Sequence, residues 1–189
     1  MKRISRPRWR MALLFIAFVI SAGILGTLIL RKYELSRIKT SPPPQTQQAG
    51  TIVATLFFAS PDGDGLVREA REVEACIDPA ECAEEVLGEL INGPVGDMAP
   101  TLPATAAIHS VRVDGETALV DFGKEFIEGL QVGSHAEMMA VYSVVDSLAF
   151  NFPQIKQVKF LMEGKDMESL GHLDLREPLA ADFTLEKKN

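Results

Sequence analysis

Apolar and polar residues alternate from Thr51 to Ala59. Ile52, Ala54, Leu56 and Phe58 share one face, and Val53 and Phe57 lie on the other. Period-two alternation predicts a strand, and apolar residues on both faces predict cover on both sides. Pro61-Asp62-Gly63-Asp64-Gly65 has turn chemistry, and Leu66 to Val73 reads as a short irregular strand or edge segment. The period then changes. Ala83, Val86, Leu87, Leu90 and Ile91 recur at helical spacing, opened by Asp78-Pro79 with Glu81 three residues on, and closed by Gly93-Pro94. An acceptor at the N-cap, proline at the first helical position and glycine at the stop predict one amphipathic helix.

Alternation returns from Ala107 to Phe122 around Asp114-Gly115, a pair preferred in two-residue hairpin turns. The expected register sets Val113 against Glu116, Val111 against Ala118, His109 against Val120 and Ala107 against Phe122, with His109 facing inward. Ser134-x-x-Glu137 predicts a capping box for a second helix, whose stripe is Met138, Val141, Val145, Leu148 and Phe152. Pro153 stops it. Val158, Phe160 and Met162 form a last strand, and Glu163-Gly164-Lys165 turns the chain into a tail. The order β-α-β-β-α-β predicts an α+β domain over 51–180, with both amphipathic helices packed on one face of a mostly antiparallel sheet. Residues 181–189 form a C-terminal tail.

Residues 11–30, MALLFIAFVISAGILGTLIL, carry no charge. At about 1.5 Å per residue a helix of that length spans roughly 30 Å, a bilayer's hydrocarbon thickness. The run is longer than a signal peptide's apolar stretch and is followed at once by Arg31 and Lys32, so an uncleaved transmembrane anchor is expected. Lys2, Arg3, Arg6, Arg8 and Arg10 precede it, against Arg31, Lys32, Arg37 and Lys39 after it. With the free amino terminus, this predicts that residues 1–10 are a cytoplasmic basic tail, with one pass through the inner membrane and an extracytoplasmic, periplasmic domain. Residues 31–50, juxtamembrane and then Pro/Gln-rich, read as a tether.

Charge sharpens that division. The whole chain carries a net −7, but residues 1–40 sum to +8 and residues 51–189 to −15. A nucleic-acid binder usually needs a basic face to meet phosphates, so the acidic domain argues against a nucleic-acid partner.

Chemical motifs are sparse. Cys76 and Cys82 sit at the mouth of the first helix, and a structural disulfide suits an oxidising compartment better than a redox pair or metal ligands. Asp62-x-Asp64-Gly65 begins like a calcium loop, but Leu66 and Val73 stand where ligands would be needed. His109, His135 and His172 are the only histidines; His172 and Asp174 could pair along an extended segment. No nucleophile elbow, phosphate loop or zinc helix occurs, so no catalytic, cofactor-binding or metal site is expected.

Taken in order, several segments resemble the GerMN domain of sporulation and germination proteins. They are Leu56-Phe57-Phe58, Leu66-Val67 with Arg71-Glu72-Val73, Glu89 to Pro94, and Leu102-Pro103. After these come Val120-Asp121-Phe122, Ser134-His135 with Glu137, Phe152-Pro153, Glu163-Gly164, and Gly171 to Leu175 before Pro178. The resemblance implies a small α+β envelope module, not known as a catalyst and similar to ring-building domains. It gives Arg71, Gly93, Pro94, Asp121, Phe122, Gly164, Gly171 and His172 structural roles. Family members also occur beside cell-wall-binding and amidase domains. This chain carries one module and a transmembrane segment, where the type protein carries two modules and a lipid anchor. The expected function is a non-enzymatic, membrane-tethered interaction module in envelope assembly, with envelope proteins or a second copy as partner. Peptidoglycan binding on behalf of a murein amidase is the alternative, ahead of an unrecognised hydrolase.

Overall fold

In the computed structural model, residues 50–131 and 133–187 are described, together with 19, 20 and 23. The anchor expected at 11–30, the basic tail and most of the tether lie outside the described residues. Among those that are described, no helix is long and apolar enough to cross a membrane. The chain divides between Gln47 and Gln48, and every element named below belongs to the second unit.

β1 (Thr51–Ala59) and β2 (Leu66–Glu74) form a nine-residue antiparallel hairpin with Thr51 opposite Glu74 and Ala59 opposite Leu66. Leu66 to Val73 is at an edge, as one of the two expectations had it, but the other, a short irregular strand, is corrected: β2 has nine residues and is regular throughout. Its charged alternation reflects a strand with one packed face. α1 (Pro79–Ile91) follows, with Asp78 Oδ1 accepting from the Ala80 and Glu81 amides at 2.8 and 3.4 Å. Gly93, at φ +82°, terminates it.

β3 (Ile108–Asp114) and β4 (Thr117–Phe122) pair antiparallel around Gly115-Glu116, with Asp114 opposite Thr117. The turn therefore begins one residue later than expected, and each cross-strand partner moves by two. A two-residue shift keeps each side chain on its face, and Val111 and Val113 meet Val120 and Ala118 in place of Ala118 and Glu116. A bulge between Ile108 and Ser110 breaks that parity and leaves His109 exposed, not inward. After the one-turn α2 (Glu125–Glu128), α3 (Ser134–Asn151) carries the chain to β5 (Gln157–Met162), which runs parallel to β4. β6 (Lys165–Asp166) and β9 (Leu179–Ala180) also pair with β5. β7 (Ser169–Leu170) and β8 (Leu173–Asp174) form a small hairpin, and Phe183–Leu185 a 3-10 turn.

The fold is α+β, but the single sheet with two helices on one face is corrected. The β1–β2 hairpin is a separate sheet from β3-β4-β5-β6 with β9. α3 packs chiefly on β1 and also meets α1 and β5, so burial extends well beyond its predicted stripe to Val144, Ser143, Asp146 and Ser147.

The separation has a hydrogen-bonding cause. Even-numbered residues of β1 bond to β2, and the amides and carbonyls of the odd-numbered ones point away from it. Ala59 exchanges two bonds with Ala99, at 3.1 and 2.9 Å. The Phe57 amide donates to Ser147 Oγ at 3.1 Å. Asn151 accepts from the Thr55 amide at 2.8 Å and donates to its carbonyl at 2.6 Å. Ser147 and Asn151 stand one helical turn apart, so one face of α3 takes the place of a neighbouring strand.

Candidate functional site

The eight residues expected to hold structural roles separate into three contacts. The first joins β2 to the end of α1. Arg71, nearly buried, donates from Nη1 to the Glu89 carbonyl and carboxylate at 3.1 Å each, and from Nη2 to the Gly93 carbonyl at 3.0 Å. It also pairs with Glu69. A cation on the last carbonyls of a helix satisfies them and complements the helix dipole. Glu69 Oε2 accepts from the Val95 and Gly96 amides at 2.9 and 3.2 Å, fixing the loop that Gly93-Pro94 begins. Burial pushes the Glu69 carboxyl up, but those two amides and Arg71 outweigh it and hold it below its ordinary value.

The second contact holds the turn after β5. Asp121 Oδ1 accepts from the Gly164 amide at 2.9 Å, and the Glu163 amide donates to the Phe122 carbonyl at 3.0 Å. Glu163 and Gly164 both have positive φ, +52° and +74°. The Phe122 ring is fully buried, stacked at 4.5 Å on Phe126 and 6.1 Å on Phe160.

The third contact could be mistaken for a catalytic triad. Ser134 Oγ lies 3.2 Å from His172 Nδ1, and Glu137 Oε2 lies 3.8 Å from the same nitrogen. A relay needs the hydroxyl on one ring nitrogen and the carboxylate on the other. Here both approach Nδ1, and the imidazole is largely exposed, which is the geometry of a surface clasp. Glu137, 8% exposed, accepts from the His172 amide at 3.2 Å. Gly171 has φ +55°, and a Cβ built on it would overlap the Glu137 carboxylate. The capping box at Ser134 is therefore corrected: Gly133 is the N-cap, with no side-chain cap bond, and both box residues turn to the β7–β8 turn. The expected His172–Asp174 pair is corrected too. Asp174 bonds Arg176 at 2.5–3.2 Å, which lowers its pKa to about 2.

Cys76 and Cys82 are joined by a disulfide that ties the end of β2 to the first turn of α1. Among the described residues, no group of three or more His, Cys, Asp or Glu is placed to hold a metal ion. A cavity of about 340 Å³ opens between Pro100–Pro103, Leu130 and the first turns of α3. His135 reaches across to the Gly63 carbonyl at its rim.

Sequence reasoning missed Asp146, which is fully buried on α3. Its Oδ1 accepts from the Asp182 amide at 2.9 Å, and its Oδ2 has no partner among the described residues. Burial, reinforced by Asp182 and Glu186, raises its pKa to about 6 against the pull of that amide and Arg68. A lone acidic residue between Val145 and Ser147 carries no signal of this in the sequence.

Known proteins resemble this chain in sequence and in fold. A family model described as Germane, sporulation and spore germination, matches residues 55–168. The fold is shared with the first GerMN domain of the sporulation protein GerM from Bacillus subtilis: 22% identity, TM-score 0.52, covering 70% of this chain and 96% of that one. The tandem GerMN domains of the same protein match at 20% identity and TM-score 0.53, covering 70% of this chain and 46% of that one. A crystal structure described as "Putative Lipoprotein from Clostridium perfringens" matches at 22% identity and TM-score 0.51, covering 74% and 95%. No curated protein is detectably similar in sequence. The chain belongs to the Germane family of sporulation and spore germination domains.

Proposed function

We propose that this chain is a non-enzymatic, membrane-tethered module that acts outside the cytoplasm in cell-envelope assembly, through contacts with envelope proteins and with its own copies. One observation carries the reading. The polar residues at motif positions are spent on holding a helix end and two turns, with amides and carbonyls as their partners. Residues used in this way serve the backbone, and among them no nucleophile and base stand in working geometry. The tether and apolar run at 11–30 supply the anchor in this reading, and the Cys76–Cys82 bridge suits an oxidising compartment.

Crosslinking in cells at native expression, followed by identification of the products, tests it. An adduct with another envelope protein or with a second copy supports the reading. Recovery of monomer alone contradicts it, as does sedimentation with purified wall sacculi without any protein adduct.

A further inference from the structure

The hairpin has a second edge. Odd-numbered residues of β2 bond to β1, so the backbone groups of Leu66, Arg68, Ala70, Glu72 and Glu74 point away from the sheet. The Leu66 carbonyl accepts from the Lys187 amide at 2.8 Å, where the C-terminal segment forms a parallel bridge. Beyond that point, the outward amides and carbonyls of Arg68, Ala70 and Glu72 have no partner among the described residues. An unpaired edge is a template for another strand, and the tail at Leu66 shows that this one accepts backbone.

The side chains along it select the occupant. Read antiparallel to itself, Val67-Arg68-Glu69-Ala70-Arg71-Glu72-Val73 is charge-complementary about Ala70. We propose that two copies of the chain pair through Arg68–Glu72 of β2, antiparallel across a two-fold axis at Ala70, giving a sheet β1-β2-β2-β1 whose seam ends where the C-terminal segment takes the place beside Leu66. In that register, outward-pointing residues meet outward-pointing residues. Arg68 lies opposite Glu72 of the second copy, Glu72 opposite its Arg68, and Ala70 opposite its Ala70. On the outer face Arg68, which also pairs with Glu186 of its own chain at 2.6 Å, thus meets the exposed Glu72 of the second copy, and Glu72 meets its Arg68. On the other face Glu69 and Arg71 already pair within each chain, so they bring no unbalanced charge to the seam.

Competing axes are worse. Moving the axis one residue either way sets Glu69 against its own copy or Arg71 against its own copy. Moving it two residues does the same to Arg68 or Glu72. Like charges directly opposite destabilise a strand pair. Ala70 at the axis also offers the smallest side chain of the exposed set. An isologous contact of this kind closes as a dimer. Its small seam is favoured by anchoring, since tethering both copies in one bilayer raises their effective concentration.

This inference rests on self-association in the proposed function, and the test separates the two. The full chain carrying Ala70→Cys is treated in membranes with a short bis-maleimide; Cys76 and Cys82 are disulfide-bonded and do not react. Residues facing each other in a hydrogen-bonded pair have Cα atoms about 5.5 Å apart, within easy reach. The Ala70→Cys chain should crosslink roughly tenfold or more faster than a Glu85→Cys control, whose thiol lies on the exposed face of α1. Adding Glu72→Arg to Ala70→Cys should slow the reaction by about tenfold, because each seam then holds two like-charged pairs. Coexpressing Glu72→Arg with Arg68→Glu, both in the Ala70→Cys background, should restore it, since the mixed dimer regains both pairs. Arg68 also stacks on Phe57 and Phe150, so if Arg68→Glu fails to fold, Ala70→Pro replaces it and should prevent a wild-type chain from forming amine-crosslinked dimers with it.

Crosslinking of Ala70→Cys no faster than that of Glu85→Cys overturns the seam. If wild-type chain then still gives amine-crosslinked dimers, self-association stands and only the seam is wrong. Monomer under both reagents overturns both.

Discussion

The two edges of the β1–β2 hairpin have the same backbone chemistry and opposite fates. On β1, Ala99, Ser147 and Asn151 satisfy the outward groups at Ala59, Phe57 and Thr55. On β2, only Leu66 is engaged among the described residues, by Lys187. A fold seals an edge where an unpaired group would be buried, because a buried amide without a partner costs about 1–3 kcal/mol. Where the edge is exposed, water satisfies the groups and the edge stays available. The sealed edge therefore belongs to stability, and the open one is where the proposed pairing of copies would form.

That contrast can be broken by mutation. The largest effect is expected from Asn151→Leu, which strands both the amide and the carbonyl of Thr55. Thermal and denaturant unfolding should show a loss of roughly 2–4 kcal/mol, and a loss below about 0.5 kcal/mol would mean α3 does not seal β1. Ser147→Ala leaves one amide, that of Phe57, and should cost about 1–2 kcal/mol in the same assay.

Asp146 lies on the same helix and tests the sealing face from the other direction. Its folded pKa is raised, so it lowers stability as pH rises from about 4 to 6, and the penalty is complete above that range. Asp146→Asn keeps an acceptor for the Asp182 amide and removes the charge. It should raise stability by about 1–2 kcal/mol at pH 7.5 and by little at pH 4. A gain independent of pH would show that burial of charge is not the cause. The smallest effect belongs to the open edge. Ala70→Pro removes an outward amide that bonds to nothing among the described residues, so monomer stability should fall by no more than about 1 kcal/mol. A larger loss would mean the amide is engaged after all.

Much of the domain was legible along the chain, for reasons that explain what was not. α1 could be bounded because Asp78-Pro79 and Gly93-Pro94 act within a few residues of themselves. The Glu163-Gly164 turn is local in the same way. Alternation correctly put Val111, Val113, Ala118 and Val120 on one face, since a two-residue error in register leaves faces unchanged. It could not show which strand lies beside which, so the division into two sheets was hidden. Ser147 and Asn151 look like ordinary polar positions on a helix until β1 is seen against them. Glu137 misled because a carboxylate in a helix's first turn suits capping, and only the folded chain brings Gly171 and His172 beneath it. Leu66 to Val73 reads along the chain only as a short irregular strand or an edge segment; its regularity comes from pairing with β1, and the openness of its edge depends on where α3 does and does not pack.

Residue-resolved amide exchange on the full chain in detergent micelles, at increasing protein-to-detergent ratio, tests the contrast most directly. The Thr55 and Phe57 amides should be strongly protected at every ratio, being sealed within one chain. The Ala70 amide should exchange freely when copies are dilute and become protected as they crowd. An Ala70 amide protected equally at all ratios, or free at all of them, would contradict the account.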